Sequence, residues 1–169
     1  MEKIASYDSI IREAGLITLE GIGTVRPMVE ADIPVVIAIE NQVQPVPWSE
    51  NILRGSFGVR YDNWVVESGN ELVAFFLIST VLDEAHLMNI AVSPEHQGKG
   101  VGKKLLEFVF QRCRENGSAN LFLEVRVSNT RAIQLYEYAG FNQIGLRRDY
   151  YQGPVGREDA AIYAIELPL

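Results

Sequence analysis

Hydrophobic positions along the chain follow two periods, and the switches between them mark out the elements. Alternation, or short apolar runs bounded by turn residues, predicts strands over 24–29, 63–67, 71–82, 85–92, 121–127, 141–148 and 159–166. Apolar residues three and four apart predict helices between them. Ile33, Val36, Ile37 and Ile39 give one over 30–44, opened by the turn Glu30-Ala31-Asp32-Ile33-Pro34. Ser49, an N-cap type residue, starts a second and shorter one. Val101, Leu105, Val109, Phe110 and Cys113 share one face of a helix over 100–116 that Gly117 closes, and a last helix over 129–139 stops at Gly140. The turn signals Gly69-Asn70 and Asp83-Glu84 fold 63–92 into an antiparallel meander whose third strand ends at Pro94.

The order βααβββαβαββ combines antiparallel hairpins with one βαβ crossover. The expected fold class is therefore α/β, a single domain with a mixed, mostly antiparallel central sheet flanked by helices. A length of 169 residues suits one domain, and no repeat or Ser/Gly/Pro-rich linker divides it. The domain is expected over 23–169, behind a leader over 1–22 whose role is open.

Composition narrows the class. With 47% hydrophobic and 22% charged residues, 14 Gly and 7 Pro, the chain is neither collagen-like nor low in complexity. The single Cys113 forbids an internal disulfide, so a reducing cytoplasm is the expected location. The longest apolar run, 72–78, is far short of the ~18–20 residues of a membrane helix, and the first twenty residues lack the basic and apolar regions of a signal peptide. No membrane association or export is expected. A net charge of −7 argues against direct nucleic-acid binding. The charge is uneven: residues 1–84 hold 5 basic and 13 acidic side chains, and 85–169 hold 10 and 9. An anionic ligand suits the second half, and a cationic one is drawn to the first.

The first chemical signal is Gln97-Gly98-Lys99-Gly100-Val101-Gly102, between a strand and a helix. Glycines there let backbone approach a ligand, and the helix N-terminus offers free N–H groups to an anion such as a phosphate. A P-loop is excluded because Gly102-Lys103 is followed by Lys104 and Gln97 stands where the first Gly belongs. A dinucleotide fingerprint fails too, since the sixth position is Lys103 counted from Gly98 and Leu105 counted from Gly100. A glycine-rich turn without a ligand is the alternative, weakened by Lys99, Lys103 and Lys104.

The second signal is Glu124 within an apolar strand. Either Arg126, two residues on and on the same face, compensates it, or that face lines a polar site where burial raises the carboxyl's pKa and suits it to general-base work. Tyr136, taken alone, reads as core packing, and Asn129 as the N-cap of its helix. Cys113 reads as a buried small hydrophobe. His86 and His96 are isolated, without metal-ligand spacing, so no metal is expected.

These residues together resemble the GNAT superfamily of acetyl-CoA-dependent N-acetyltransferases, whose Q/R-x-x-G-x-G/A motif is matched by Gln97, Gly100 and Gly102. Within it, PVPWSE (45–50), MNIAVSPEHQGKGVG (88–102), LEVRVSNTRAIQLYEYAGF (123–141), RRDYY (147–151) and EDA (158–160) resemble the bacterial ribosomal-protein alanine N-acetyltransferases and archaeal N-terminal acetyltransferases. The resemblance covers about residues 24–166 and leaves the leader without a counterpart. It implies that acetyl-CoA lies along Ile90, Ala91 and Val92, with its pyrophosphate on Gln97, Gly98, Lys99, Gly100, Val101, Gly102 and Lys103, and Asn129 near its arm. It also implies Glu124 as proton acceptor, Tyr136 as proton donor, and Trp48, Ser49, Tyr150 and Tyr151 as the wall of a peptide groove. The implied substrate is a protein N-terminus, that of a ribosomal protein starting with Ala. An α-amine, with a reference pKa of ~7.7–8.0 against ~10.4 for Lys, is the easier amine to deprotonate. A small amine or lysine acceptor, and a non-enzymatic cofactor-binding module, are the alternatives. The groove segment 46–49 with Tyr150 and Tyr151 weighs against the first, and the pair Glu124 and Tyr136 against the second.

Overall fold

Phe75 and Phe76 stand side by side on one strand and point in opposite directions, each into a different core. That strand runs through the middle of an eight-stranded sheet with helices on both faces. The computed structural model describes residues 17–168. Its elements are β1 (Ile17–Leu19), β2 (Gly23–Pro27), α1 (Ile33–Val43), α2 (Glu50–Arg54), β3 (Tyr61–Ser68), β4 (Glu71–Val81), β5 (Glu84–Val92), α3 (Val101–Glu115), β6 (Asn120–Arg126), α4 (Thr130–Tyr138), β7 (Asn142–Gln152) and β8 (Arg157–Glu166). The spatial order is β1-β2-β3-β4-β5-β6-β8-β7, with β5–β6 the one parallel pair among the described strands. The expected α/β class and mixed, mostly antiparallel sheet are therefore observed.

One core lies under α3 and α4, where Trp64, Phe76, Ile78, Leu105, Leu106, Val109, Leu123 and Phe141 meet. The other lies under α1 and α2 and gathers Met28, Ile33, Val36, Leu53, Val65, Phe75 and Leu77. Each such side chain contributes roughly 1.5–3 kcal/mol by leaving water. Cys113 is buried in the first core, as expected, and burial pushes its thiol up to about 12.

Several boundaries differ from the sequence expectation, each for a local reason. Of the expected leader, 1–16 lies outside the described residues, whereas Ile17–Leu19 forms β1 and pairs antiparallel with β2. Gly23 permits this hairpin to lie against β3, because a Cβ there would fall 2.0 Å from the Glu67 carbonyl oxygen. The helix expected over 30–44 begins as a 3-10 turn, Glu30–Asp32, before α1. Asp32 accepts the Val29 N–H at 2.8 Å and receives Arg26 through both of its terminal nitrogens at 2.8 Å, which anchors that turn to β2. The β4–β5 turn falls on Leu82-Asp83, one residue early, with Leu82 at φ +56°. The last hairpin is longer than expected: β7 continues past 148 to Gln152 through an irregularity between Arg147 and Tyr151.

The feature that positions everything below is an opening in the sheet. The β5–β6 ladder consists of Glu84–Asn120, Ala85–Leu121 and His86–Phe122. Past that third rung β5 stays paired with β4 up to Val92, and β6 with β8 up to Arg126. The two central strands thus part company, and the inner edge of β5 from Leu87 onward has no strand beside it. A bulge between Leu77 and Ile78, where β4 skips Met88, bends β5 at the same level.

Candidate active site

Two clefts meet at this opening. The first, of about 390 Å³, is floored by Ile90, Ala91 and Val92 of β5 and walled by Gly98, Gly100, Val101, Gly102 and Lys103. Its shape comes from backbone. Gly98 and Gly100 hold φ of +74° and +79°, Gly100 is the N-cap residue of α3, and a Cβ on Gly100 would meet nothing within 4 Å. The cleft thus opens on the first turn of a fifteen-residue helix, whose free N–H groups stabilise an anion. Gln97 fixes the loop by donating its side-chain N–H to the Val92 carbonyl at 2.9 Å and accepting from Arg131 at 3.3 Å. Arg131, His96 and Leu135 also line this cleft, and sequence reasoning missed all three. Lys99 is outside the lining.

The second cleft, of about 330 Å³, lies on the other side of the opening, between the α1–α2 connection and the end of β7. It is made of side chains. Glu124 reaches it from β6, Trp48 with Val46 and Pro47 from the connection, and Tyr150 with Tyr151 from the β7 irregularity. Asp149, at φ +50°, is held there by its N–H to the Asp159 carboxylate at 2.9 Å and by Arg157 donating to its carbonyl at 3.1 Å, which turns the two tyrosines inward. Ser49 caps α2 by accepting the Ile52 N–H at 3.3 Å and stands outside the lining. Gln44, Ile90, Asn129, Ala132 and Tyr136 line both clefts and so mark where they join.

Asn129 acts as the expected N-cap, accepting from the Ala132 N–H at 3.2 Å, and borders the junction at the same time. Tyr136 is buried and packs edge-on against Phe141 at 5.7 Å, so the packing expectation holds, yet it too reaches the junction. Burial raises its phenol well above the ordinary value, so it keeps its proton at neutral pH.

Glu124 corrects three expectations. Arg126 does not compensate it; that guanidinium pairs with Glu158 at 3.0 Å, donates to the Gln152 carbonyl at 2.9 Å and lies over the Tyr151 ring at 4.5 Å. His86 is not isolated, because its Nε2 hydrogen-bonds the Glu124 Oε2. The carboxyl also moves the other way: the His86 hydrogen bond holds it below the usual carboxylate range despite the opposing effect of burial, with Arg147 at 3.6 Å adding to the lowering. The signal for His86 was present only in the topology, since the parallel pairing of two strands distant in sequence sets His86 opposite Phe122, two residues before Glu124.

A second carboxylate escaped sequence reasoning. Glu40 of α1 is buried, and its two oxygens accept from the Trp48 backbone N–H at 3.1 Å and the Asn89 side chain at 3.0 Å. Burial raises its pKa. It ties the α1–α2 connection to β5 and so holds one wall of the second cleft. Among the described residues no group of three or more His, Cys, Asp or Glu could hold a metal ion, and no helix is long and apolar enough to cross a membrane.

The ribosomal protein bS18-alanine N-acetyltransferase of Escherichia coli is 41% identical over 146 residues, covering 86% of this chain and 99% of that protein. Its Haemophilus influenzae counterpart is 44% identical over 130 residues, covering 76% and 88%. The crystal structure of the ribosomal-protein-S18-alanine N-acetyltransferase from Escherichia coli superposes with a TM-score of 0.82, over 86% of this chain and 94% of that one. Residues 39–141 match the Acetyltransferase (GNAT) family. A family match over more than half of the chain, together with relatives this similar over nearly their whole length, shows that the chain is an acetyltransferase belonging to the GNAT family.

Proposed function

We propose that the protein transfers the acetyl group of acetyl-CoA directly to the N-terminal α-amine of a protein, a ribosomal protein beginning with Ala, in the cytoplasm. The observation that carries this is the parting of β5 and β6, which joins a backbone-lined cleft to a carboxylate-bearing one with Tyr136 at the junction. The relatives named for alanine N-acetylation of bS18 supply the substrate class.

The first cleft fits acetyl-CoA. The inner edge of β5 along Ile90, Ala91 and Val92 has no strand beside it, so Ile90 and the Val92 N–H are open to an extended amide-bearing arm, and in the loop 97–103 Gly98 and Gly100 put no Cβ beside the N-terminus of α3. Lys103 and Arg131 add positive charge beside a pyrophosphate. When bound, acetyl-CoA supplies an acetyl group activated as a thioester. Glu124 removes the proton that the acceptor ammonium carries in water, and the amine then has a lone pair with which to attack. Because the carboxyl lies below its ordinary value, it is ionised and ready across the neutral range, and the less basic α-amine is the better matched donor of that proton. Tyr136, protonated at neutral pH, gives its hydroxyl proton to the departing sulfur. No enzyme nucleophile is required, in keeping with the buried thiol of Cys113.

The test is mass spectrometry of short peptides beginning with Ala, Ser, Met or Gly, each carrying one internal Lys, after incubation with the protein and acetyl-CoA. Acetylation at the α-amine of the Ala peptide is expected. Acetylation of the Lys instead, or preference for a free polyamine, would replace this reading with a lysine or small-amine acetyltransferase.

A further inference from the structure

We propose that His86 is a positioning residue for the base: its imidazole fixes Glu124 facing the acceptor cleft, and protonation of that imidazole turns the base off. The proposal rests on the reading in which Glu124 accepts the amine's proton.

The geometry begins with the ladder. His86 occupies the last paired rung of β5 and β6, so its backbone is held, while Glu124 is the first residue on the same face beyond the point where the strands part. The imidazole therefore sits at the closed apex of the opening and reaches forward to the carboxylate. Glu124 has a side-chain exposure of 11% and His86 one of 41%. Glu124 lines the acceptor cleft and His86 does not, which places the imidazole behind the carboxylate, where it exchanges protons with solvent.

Each atom then has one role. A neutral imidazole donates its Nε2–H to Oε2, which fixes the rotamer and turns Oε1, with Arg147 Nη2 at 3.6 Å beside it, toward the acceptor cleft for the substrate's ammonium. A protonated imidazole makes a full ion pair with the same oxygen, and an opposite charge in contact makes the carboxylate a weaker base. The proton on the ammonium then stays where it is. In this scheme the acceptor reacts from its ammonium form, so the proton that silences the enzyme on the acid side of the rate profile is the one on His86.

Three other groups stand around Glu124. On β7, the Arg147 guanidinium lies 3.6 Å from the carboxylate, and Tyr151 is pushed up to about 12 by burial and by the Glu124 charge itself. On β6, Arg126 is committed to Glu158. Glu124 itself is held below the usual carboxylate range, so its own titration falls at lower pH.

The experiment compares the wild-type protein with His86→Ala, His86→Gln and Glu124→Gln, using an Ala-initiated peptide from pH 5.5 to 9, with thermal unfolding to verify each fold. His86→Ala is expected to lower kcat about tenfold at pH 8, the scale of losing a charge-assisted hydrogen bond, with the affinity for acetyl-CoA unchanged. His86→Gln, whose amide donates an N–H but cannot become charged, should recover most of that loss. On the acid side log(kcat/KM) of the wild type should fall with a slope near 1, whereas that of His86→Gln should stay nearly flat down to pH 5.5. Parallel profiles for wild type and His86→Gln, or wild-type kcat in His86→Ala, would overturn the role of His86 while a large loss in Glu124→Gln still upheld the base. Full activity in Glu124→Gln would overturn the base and this proposal with it.

Discussion

The two clefts are built from different materials. The glycine cleft is made of main chain: the free edge of β5, two glycines with left-handed backbone and the first turn of α3. The carboxylate cleft is made of side chains, with Glu40, Trp48, Glu124, Tyr150 and Tyr151 arriving from α1, the α1–α2 connection, β6 and β7. Backbone is common to every residue type, so on the proposed function the first cleft suits a ligand that never changes, and besides Lys103 and Arg131 it is most sensitive where a Cβ intrudes. Side chains carry the identity of the second, which on the proposed function is where an acceptor is chosen and deprotonated. Substitutions in the two clefts should therefore fail in different ways, the first in binding of acetyl-CoA and the second in chemistry or acceptor affinity.

The largest effect expected on that division is at Glu124. Glu124→Gln should lower kcat by ~10²-fold or more at neutral pH, and raising the pH should partly restore it as more of the acceptor amine becomes neutral unaided. A steady-state pH series measures both. Tyr136→Phe comes next, with kcat lower by roughly tenfold or more at every pH because the leaving sulfur loses its proton donor. A pH-dependent rescue of that variant would mean that the hydroxyl acts on the amine side of the junction. Glu40→Gln should raise the peptide KM about fivefold and leave acetyl-CoA affinity alone: an amide has one acceptor oxygen for two donors, so either Trp48 or Asn89 loses its partner at ~1–3 kcal/mol. Peptide titrations at saturating acetyl-CoA separate the two parameters.

The smallest effect expected concerns charge. The acidic first half of the chain contributes the α1–α2 wall, so an Ala peptide with Arg or Lys in its first few positions should show kcat/KM a few-fold above that of an acidic peptide. Raising salt should erase the difference, as exposed charges are screened beyond ~10 Å at 0.1 M. A preference that persists in high salt would point to a specific ion pair within the cleft.

The same contrast explains what the sequence made legible. The glycine cleft depends on contiguous residues, so the run 97–102 between a strand and a helix announced its place. The strands and helices were likewise readable because their apolar periods are local, and the departures arose where tertiary contacts act, as with Asp32 held by Arg26 and the β7 irregularity held by Asp159 and Arg157. Glu124 stood out as a carboxylate in an apolar strand, but its partner did not. Arg126 was the neighbour in sequence, whereas His86 is the neighbour in space, 38 residues earlier, through a parallel pairing that local patterns do not encode. Glu40 was hidden in the same way, as a polar residue on a helix whose buried side becomes apparent only once Asn89 and the Trp48 N–H are brought to it.

Calorimetric titration of acetyl-CoA into Gly100→Val and Glu124→Gln, each shown to be folded, tests the division of labour most directly. Valine is strained at φ +79° and adds a branched side chain to a residue that lines the glycine cleft, so Gly100→Val should bind at least ~10-fold more weakly, while Glu124→Gln binds like the wild type. Unchanged affinity in Gly100→Val, or a comparable loss in Glu124→Gln, would contradict the account.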